Sequence, residues 1–328
     1  MNPGVYLNAY LAPLSPWLSR ADVTDVLVNR AGEVWIETTT GSMSREPAED
    51  LTEVSLERLA RQIAAFANQG VNREHPLLSA TLPDGARVQI IAPPATRGGV
   101  AMAVRKHTIS DLSVEDLARN GLFDTGGPGV EGRTTLADKE LQGLLDANDT
   151  LGFLRAAVRN RKTVVISGGT GSGKTTLLNA LIKEIAPRER LLAIEDTAEL
   201  RLDHPNSLGL VAVRGELGEA RVDADALVAA ALRMRPDRIL LGELRGREAF
   251  AFLRAVNSGH PGSITTVHAD SPLGAIDQIA LLAMTSGLEL GWEKVQAYVG
   301  RVVDVVVQIE RLSGQRRIGE ILFRPRSA

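Results

Sequence analysis

The second half of the chain alternates short apolar runs with segments of helical periodicity. Apolar runs of strand length lie at residues 163–167, 191–194, 239–241 and 263–267. Helical spacing follows at 223–235 and 247–258, and Ser271, which precedes a proline, is typical of a helix start. The alternation predicts an open, mostly parallel α/β sheet, with a β-hairpin formed by 301–310 and 317–323 on one edge.

The first hundred residues mix strand and helix patterns. Strands are predicted at residues 23–28, 33–37, 88–92 and 100–104. Apolar residues recur near helical spacing at Val54, Leu59, Ile63 and Phe66. They predict a helix over 51–68, with Gly70 as its C-cap. These patterns therefore predict an α+β unit in this part of the chain.

A connector separates the two patterns. Ser113 with Asp116, and Thr135 with Asp138, have the spacing of capping boxes and predict two helix starts. Between them, the glycine- and proline-rich residues 126–129 favour a loop. We therefore predict an N-terminal α+β domain at 1–104, a flexible linker at 105–135 and a C-terminal domain at 136–328.

Composition narrows the classes of protein. The 328 residues carry a formal net charge of −3 and include no cysteine, which excludes disulfides and cysteine–zinc modules. No apolar stretch is long enough to span a bilayer and the N-terminus lacks a signal-peptide pattern. We expect a cytoplasmic protein, whose contact with an inner membrane would be peripheral or through partners.

One glycine-rich stretch follows the strand predicted at 163–167. Its residues are Gly168, Gly169, Thr170, Gly171, Ser172, Gly173, Lys174, Thr175 and Thr176, and they fit the phosphate-binding pattern G-x-x-x-x-G-K-[ST]. A helix is predicted after it, with an apolar face made by Leu177, Leu178, Leu181, Ile182 and Ile185. Backbone N–H groups would bind phosphate, Lys174 would reach the β- and γ-phosphates, and the Thr175 hydroxyl would hold Mg²⁺.

Polar residues end the other predicted strands. Glu195 and Asp196 follow one strand, Glu243 another and His268 a third. The carboxyl ends of parallel strands meet at one edge of a sheet, so these groups should converge on Lys174. The acids could bind Mg²⁺ or orient an attacking water. An ordinary P-loop enzyme has an aspartate where Gly242-Glu243 stands, whereas Asp237 lies before its strand, at the wrong end.

Other candidate residues are less specific. His260 lies between glycine and proline residues, and its spacing from His268 is not a metal-ligand pattern, so each could be structural or functional. The arginines that could neutralise phosphate charge, within one subunit or in trans from a second, are Arg87, Arg105, Arg245 and Arg247. Composition alone favours surface roles for these arginines.

Four blocks resemble the secretion-ATPase superfamily, in particular the traffic ATPases of type IV secretion and conjugative DNA transfer (TrbB-like). Residues 168–176, 192–197, 233–246 and 258–269 are similar to the family's Walker A motif, aspartate box, atypical Walker B motif and histidine box. The N-terminal runs at 23–29 and 83–88 are similar as well. The resemblance therefore covers nearly the whole chain.

The resemblance implies a RecA-like P-loop ATPase domain behind a flexible linker, assembled as a homo-hexamer with ATP and Mg²⁺ between domains. It implies that Glu243 is the catalytic carboxylate, because the family's Walker B strand ends in Gly-Glu, and that His268 lies near the γ-phosphate. Arg87 and Arg105 match N-terminal arginines that the family brings towards nucleotide, in a subunit that the sequence leaves open. Its partners would be inner-membrane components of secretion or conjugation machinery.

Several alternatives stay open. Pilus assembly, pilus retraction, tight-adherence and type II secretion ATPases share these motifs, although many assembly ATPases carry a cysteine zinc module. A RecA-like nucleic-acid motor is another class, but the net charge and the 4% aromatic content supply no direct nucleic-acid site. A scaffold that binds ATP without turnover is a third, against which Lys174, Thr175, Glu195 and Glu243 argue.

Overall fold

The computed structural model describes residues 4–107, 113–119, 121–124, 135–213, 218–287 and 289–325. Within these ranges the chain forms two β-sheets, one of six strands from the N-terminal part and one of seven strands from the C-terminal part. The predicted order of an α+β unit followed by an α/β unit is confirmed. No helix of the described residues is long and apolar enough to cross a membrane.

The N-terminal sheet is antiparallel throughout, in the order β3-β2-β1-β6-β5-β4. Its strands are β1 Val23–Val28, β2 Gly32–Thr38, β3 Met43–Ala48, β4 Leu77–Thr81, β5 Arg87–Ile91 and β6 Ala101–Arg105. Helices α1 Gly4–Leu11 and α2 Ser15–Leu18 precede it, and α3 Glu53–Phe66 lies between β3 and β4. The buried side of α3 packs in a cluster with Val26, Val34 and Ile36 of the sheet.

The four strands predicted in this part are confirmed, but β3 and β4 were missed because exposed polar residues interrupt them. Val54 was wrongly assigned to the apolar face of α3: it is exposed, and the buried face runs through Leu56, Leu59, Ala60, Ile63 and Ala64. The Gly70 cap is also wrong. The helix ends at Phe66 with Ala67 as its C-cap, and Asn68 takes the left-handed conformation at φ 53°, which asparagine tolerates.

The C-terminal sheet has the order β13-β12-β7-β11-β10-β8-β9, parallel except for the last hairpin. Its strands are β7 Val164–Gly168, β8 Leu191–Glu195, β9 Ser207–Val211, β10 Arg238–Leu241, β11 Ile264–Val267, β12 Val305–Leu312 and β13 Gln315–Phe323. The helices from the connector onwards are α4 Val114–Arg119, α5 Leu136–Asp146, α6 Thr150–Arg159, α7 Lys174–Ile182, α8 Ala224–Ala231, α9 Glu248–Asn257, α10 Pro272–Met284 and α11 Trp292–Val302.

The predicted strand and helix order of this sheet is confirmed, including the hairpin on one edge. Arg301 belongs to α11 rather than to the hairpin, because Val295, Val299 and Val302 form a buried helical face that continues up to the strand. Strand β9, which pairs with β8 at the other edge, was missed. Its sequence, Ser-Leu-Gly-Leu-Val, is short and contains a glycine.

Both predicted starts in the connector carry their caps. Ser113 and Asp116 exchange hydrogen bonds before α4, and Thr135 with Asp138 forms a capping box before α5. The glycine-rich residues 126–129 lie outside the described residues. The domain boundaries at 104 and 135 therefore stay a prediction.

The two sheets share buried surface. Leu27 and Ala103 of the N-terminal sheet belong to the same apolar cluster as Leu208, Leu210 and Leu227 of the C-terminal part. A polar group of residues also joins the two parts at the amino ends of β8, β9 and β10. We call it the amino-end contact and define it by Asn29, Glu37, Arg190, Asn206 and Arg235.

In the amino-end contact, Nη1 of the fully buried Arg190 donates to the side-chain oxygens of Asn29, at 2.7 Å, and Asn206, at 2.5 Å. Arg235 forms a two-pronged ion pair with Glu37, with an Nε–Oε2 distance of 2.5 Å. Its Nη1 also donates to Asp237 at 2.7 Å. Asp237 thus lies at the amino end of β10, as the sequence predicts, and pairs within this contact.

Candidate functional site

The glycine loop joins β7 to α7 in a backbone conformation that depends on glycine. Gly168, Gly171 and Gly173 have φ values of 155°, 71° and 104°, in the region that side chains disfavour. A Cβ atom on Gly168 would lie 2.4 Å from the carbonyl oxygen of Ile309 on β12. The loop is therefore held tightly against the neighbouring strand, with α7 beginning at Lys174 behind it.

Lys174 bends back over the loop. Its Nζ donates to the carbonyl oxygens of Gly168, at 2.9 Å, and Gly169, at 3.1 Å, and lies 3.4 Å from Nδ1 of His268. Burial lowers the pKa of the Lys174 ammonium, while the nearby Glu243 carboxylate opposes that shift. The ammonium is thus a buried cation that backbone carbonyl oxygens hold inside the loop.

Glu243 follows β10 and faces two basic side chains. Nε2 of His268 lies 2.6 Å from its Oε1, and Arg245 pairs with its Oε2. Because an ammonium is a donor only, Nδ1 of His268 would accept from Lys174, so the proton of a neutral ring would lie on Nε2. The chain Lys174–His268–Glu243 brings three residues predicted from separate elements into direct contact.

Glu195 ends β8 and is almost fully buried. Its Oε1 accepts hydrogen bonds from the backbone N–H groups of Glu199, at 2.9 Å, and Leu200, at 2.8 Å. Its Oε2 forms an ion pair with Arg97, which comes from the N-terminal part. Glu195 therefore reaches the predicted edge of the sheet, with both oxygens already engaged by the protein.

These residues line one cavity of about 370 Å³. Its walls include the loop from Thr170 to Thr176, the strand-end residues Glu195, Asp196, Glu243 and His268, and Arg245. Arg316, on β13, enters from the other side of β7. It had no candidate role in the sequence, because only the hairpin's position beside β7 brings it near Gly173.

Other candidate residues lie elsewhere in the chain. Arg87 and Arg105 are cross-strand neighbours in the N-terminal sheet and line a separate cavity of about 180 Å³ beside Asp25. His260 places Nδ1 3.0 Å from the carbonyl oxygen of Pro236, and burial lowers the pKa of its ring. The structure thus brings neither arginine nor His260 into the glycine-loop cavity, and Arg247 does not line it either.

A magnesium ion that binds together with a nucleotide needs few ligands from the protein itself. Among the described residues there is no cluster of three or more histidine, aspartate or glutamate side chains that could hold a metal. Mg²⁺ bound with nucleotide takes only one or two protein ligands, together with phosphate oxygens and water. Thr175, at the start of α7 and in the cavity wall, is suited to such a site.

The sequence of the chain matches a known protein family. Residues 130–313 match the model of the type II/IV secretion system protein family. The chain belongs to this family. The match includes the glycine loop and the ends of β8, β10 and β11, whereas Arg97 and Arg316 lie outside it.

Individual relatives are similar over nearly their whole length. The chain is 42% identical over 329 residues to the type IV secretion system protein PtlH homolog of Bordetella bronchiseptica, covering 97% of this chain and 95% of the relative. It is 38% identical to the type IV secretion system protein VirB11 of Bartonella henselae, with coverages of 96% and 92%.

A crystal structure of the VirB11 ATPase from the Brucella suis type IV secretion system, in complex with sulphate, has a similar fold. Its TM-score is 0.90 at 37% sequence identity, and the alignment covers 97% of this chain and 98% of that chain. The two-sheet architecture is therefore shared with that protein along nearly the entire chain.

Proposed function

We propose that this protein binds ATP with Mg²⁺ and hydrolyses it to ADP and phosphate, to power a type IV secretion or conjugation machine or an associated pilus. The contact chain Lys174–His268–Glu243 inside the glycine-loop cavity carries the proposal. It combines a phosphate-binding cation with a carboxylate that can act on water. The similarity to VirB11 and PtlH proteins favours type IV secretion over pilus retraction or type II secretion.

In this mechanism, the backbone N–H groups of residues 168–176 bind the phosphates and Lys174 contacts the β- and γ-phosphate oxygens. The Thr175 hydroxyl would hold Mg²⁺, whose charge offsets the charge that develops on the phosphate oxygens. Glu195 could bind the metal directly only after its Oε2 separates from Arg97. While that ion pair is intact, Glu195 would lie near the metal without contacting it.

Glu243 would orient the attacking water and accept its proton, and His268 would hold the carboxylate in place. The 2.6 Å contact between His268 and Glu243 and the 3.4 Å contact between His268 and Lys174 would also let the ring respond to the γ-phosphate. Arg316 approaches from the side of β7 opposite Glu243, so it would meet the nucleotide away from the γ-phosphate.

Arg87 and Arg105 line another cavity, so their predicted role requires a nucleotide bound to a neighbouring subunit or a different arrangement of the two parts. A homo-hexameric ring, as the family resemblance implies, would supply such a neighbour. Inner-membrane components of the secretion machine would then be the partners that hold the ring at the membrane.

Two purified variants test the proposal. Lys174→Ala removes the phosphate-binding cation and should abolish ATP turnover, at least about a hundredfold loss. Glu243→Gln keeps the shape of the site but not its base, so it should bind ATP and turn it over poorly. Steady-state phosphate release and single-turnover hydrolysis of labelled ATP measure both. Wild-type turnover in both variants would contradict the proposal.

A further inference from the structure

A segment of the N-terminal part extends the C-terminal sheet beyond its edge strand β9. The backbone N–H of Val211 donates to the carbonyl oxygen of Ala95 at 2.9 Å, and that of Arg97 donates to Gly209 at 3.0 Å. Thr96 and Leu210 form an antiparallel bridge between these bonds. The segment places Arg97 beside the carboxyl end of β8.

The Arg97 side chain occupies a site shaped for it. Its Nη1 donates to the carbonyl oxygen of Leu200 at 2.7 Å, and its Nη2 pairs with Oε2 of Glu195. A Cβ atom on Gly209 would lie only 2.4 Å from Cδ of Arg97, so the glycine leaves the space that the aliphatic stem fills. We call the set of Arg97, Glu195, Leu200 and Gly209 the carboxyl-end contact.

The pair has an electrostatic consequence for the cavity. Glu195, Asp196 and Glu243 line the space proposed for an anionic nucleotide. Arg245 lies against Asp196 and Glu243, but Glu195 has Arg97 as its cationic partner. The Glu195 side chain is only 4% exposed, so without Arg97 its charge would be poorly screened and would repel phosphate oxygens.

We propose that Arg97 is a positioning residue of the nucleotide site: it holds the Glu195 carboxylate in the turn after β8 and neutralises its charge. The affinity for nucleotide thereby depends on a side chain of the N-terminal part. This inference rests on the proposed nucleotide-binding function. By linkage, bound nucleotide strengthens the attachment of the 95–97 segment to β9 by the same factor.

The test is a double-mutant cycle read as the dissociation constant of a fluorescent ATP analogue with Mg²⁺. Arg97→Ala should raise that constant about tenfold, within the ordinary range of coupling between sites. Glu195→Gln removes the charge that Arg97 neutralises, so adding Arg97→Ala to it should change the constant by less than about twofold. Arg97→Lys keeps the positive charge but loses the fork that contacts both Glu195 and Leu200, so it should weaken affinity by about threefold, less than Arg97→Ala.

A second arginine–glutamate pair between the same two parts is a matched control. Arg73 and Glu219 form an exposed ion pair, with Nη2 and Oε2 2.7 Å apart, away from the cavity. The cycle of Arg73→Ala and Glu219→Gln should leave nucleotide affinity within about twofold, because exposed pairs contribute little.

Three results would overturn the inference. These are wild-type affinity in Arg97→Ala, equal weakening by Arg97→Ala with and without Glu195→Gln, or a loss in Arg97→Lys as large as in Arg97→Ala. The second and third results would mean that Arg97 supports only the local backbone or the fold. Failure of the proposed function looks different, because the wild-type protein itself would then bind no nucleotide.

Discussion

The N-terminal part touches the C-terminal sheet at both ends of its parallel strands, and the two contacts differ in their surroundings. The amino-end contact joins Arg235 to Glu37 and the buried Arg190 to Asn29, with no residue in the glycine-loop cavity. The carboxyl-end contact joins Arg97 to Glu195, which lines that cavity. We therefore expect arginine–carboxylate pairs to serve attachment at one end and, as proposed for Arg97, nucleotide binding at the other.

Breaking the amino-end contact should have the largest effect on stability. Arg235→Gln leaves the nearly buried Glu37 without its partner and should lower the free energy of unfolding by about 1 to 3 kcal/mol. Nucleotide affinity should not change, because the contact lies at the opposite end of β10. Denaturant unfolding and nucleotide titration measure the two quantities.

Arg233→Gln is the control for that variant, since Arg233 lies two residues before Arg235 and is exposed. Its unfolding free energy should stay within about 0.5 kcal/mol of wild type. A nucleotide affinity that falls in Arg235→Gln but not in Arg233→Gln would erase the distinction between the two contacts.

The carboxyl-end contact can also be disturbed without changing any charge. Gly209→Ala places a methyl group against the stem of Arg97 and should displace the guanidinium from Glu195. We expect about a fivefold rise in the dissociation constant of the ATP analogue, and only about a twofold further rise, to the level of Arg97→Ala alone, when Arg97→Ala is added. Gly98→Ala, which has open space around its Cβ position, is the control.

The smallest expected effect concerns the cavity wall formed by the hairpin. Arg316→Gln should weaken ATP and ADP equally, by about two- to fivefold, because Arg316 approaches from the side away from Glu243. Arg317→Gln is the control, since the adjacent arginine pairs with Glu310 instead, at 2.6 Å. If only the affinity for ATP fell, Arg316 would have to lie at the γ-phosphate. That result would contradict its approach from the side of β7 away from Glu243.

The comparison also shows which parts of the site were accessible to sequence reasoning. Lys174, Glu243 and His268 each follow a strand with a clear apolar pattern, so the rule that parallel strands end at one edge predicted their convergence. Arg97 follows no such pattern. Its place depends on pairing between residues 95–97 and β9, more than a hundred residues apart, and β9 itself was not predicted.

Prediction of the strands from the sequence has the same limit as prediction of the site. Strands with uninterrupted apolar runs, such as β7, β8 and β10, were predicted because burial on both faces leaves a strong signal. Strand β3 has three consecutive polar residues and a single buried one, so its own pattern does not indicate a strand, and the structure shows it paired with β2. Arg316 likewise gains its position from the hairpin's place beside β7.

The most direct measurement of the difference between the two contacts is the rise in melting temperature that saturating Mg²⁺–ATP produces. At a fixed concentration well above the dissociation constant, a ligand stabilises the folded state in proportion to the logarithm of its concentration over that constant. A tenfold weaker affinity therefore removes about 1.4 kcal/mol of this stabilisation and makes the rise in melting temperature smaller. Arg97→Ala should show a clearly smaller ATP-induced rise than wild type. Arg235→Gln should melt at a lower temperature but keep the full rise, whereas equal rises in both variants would contradict the account.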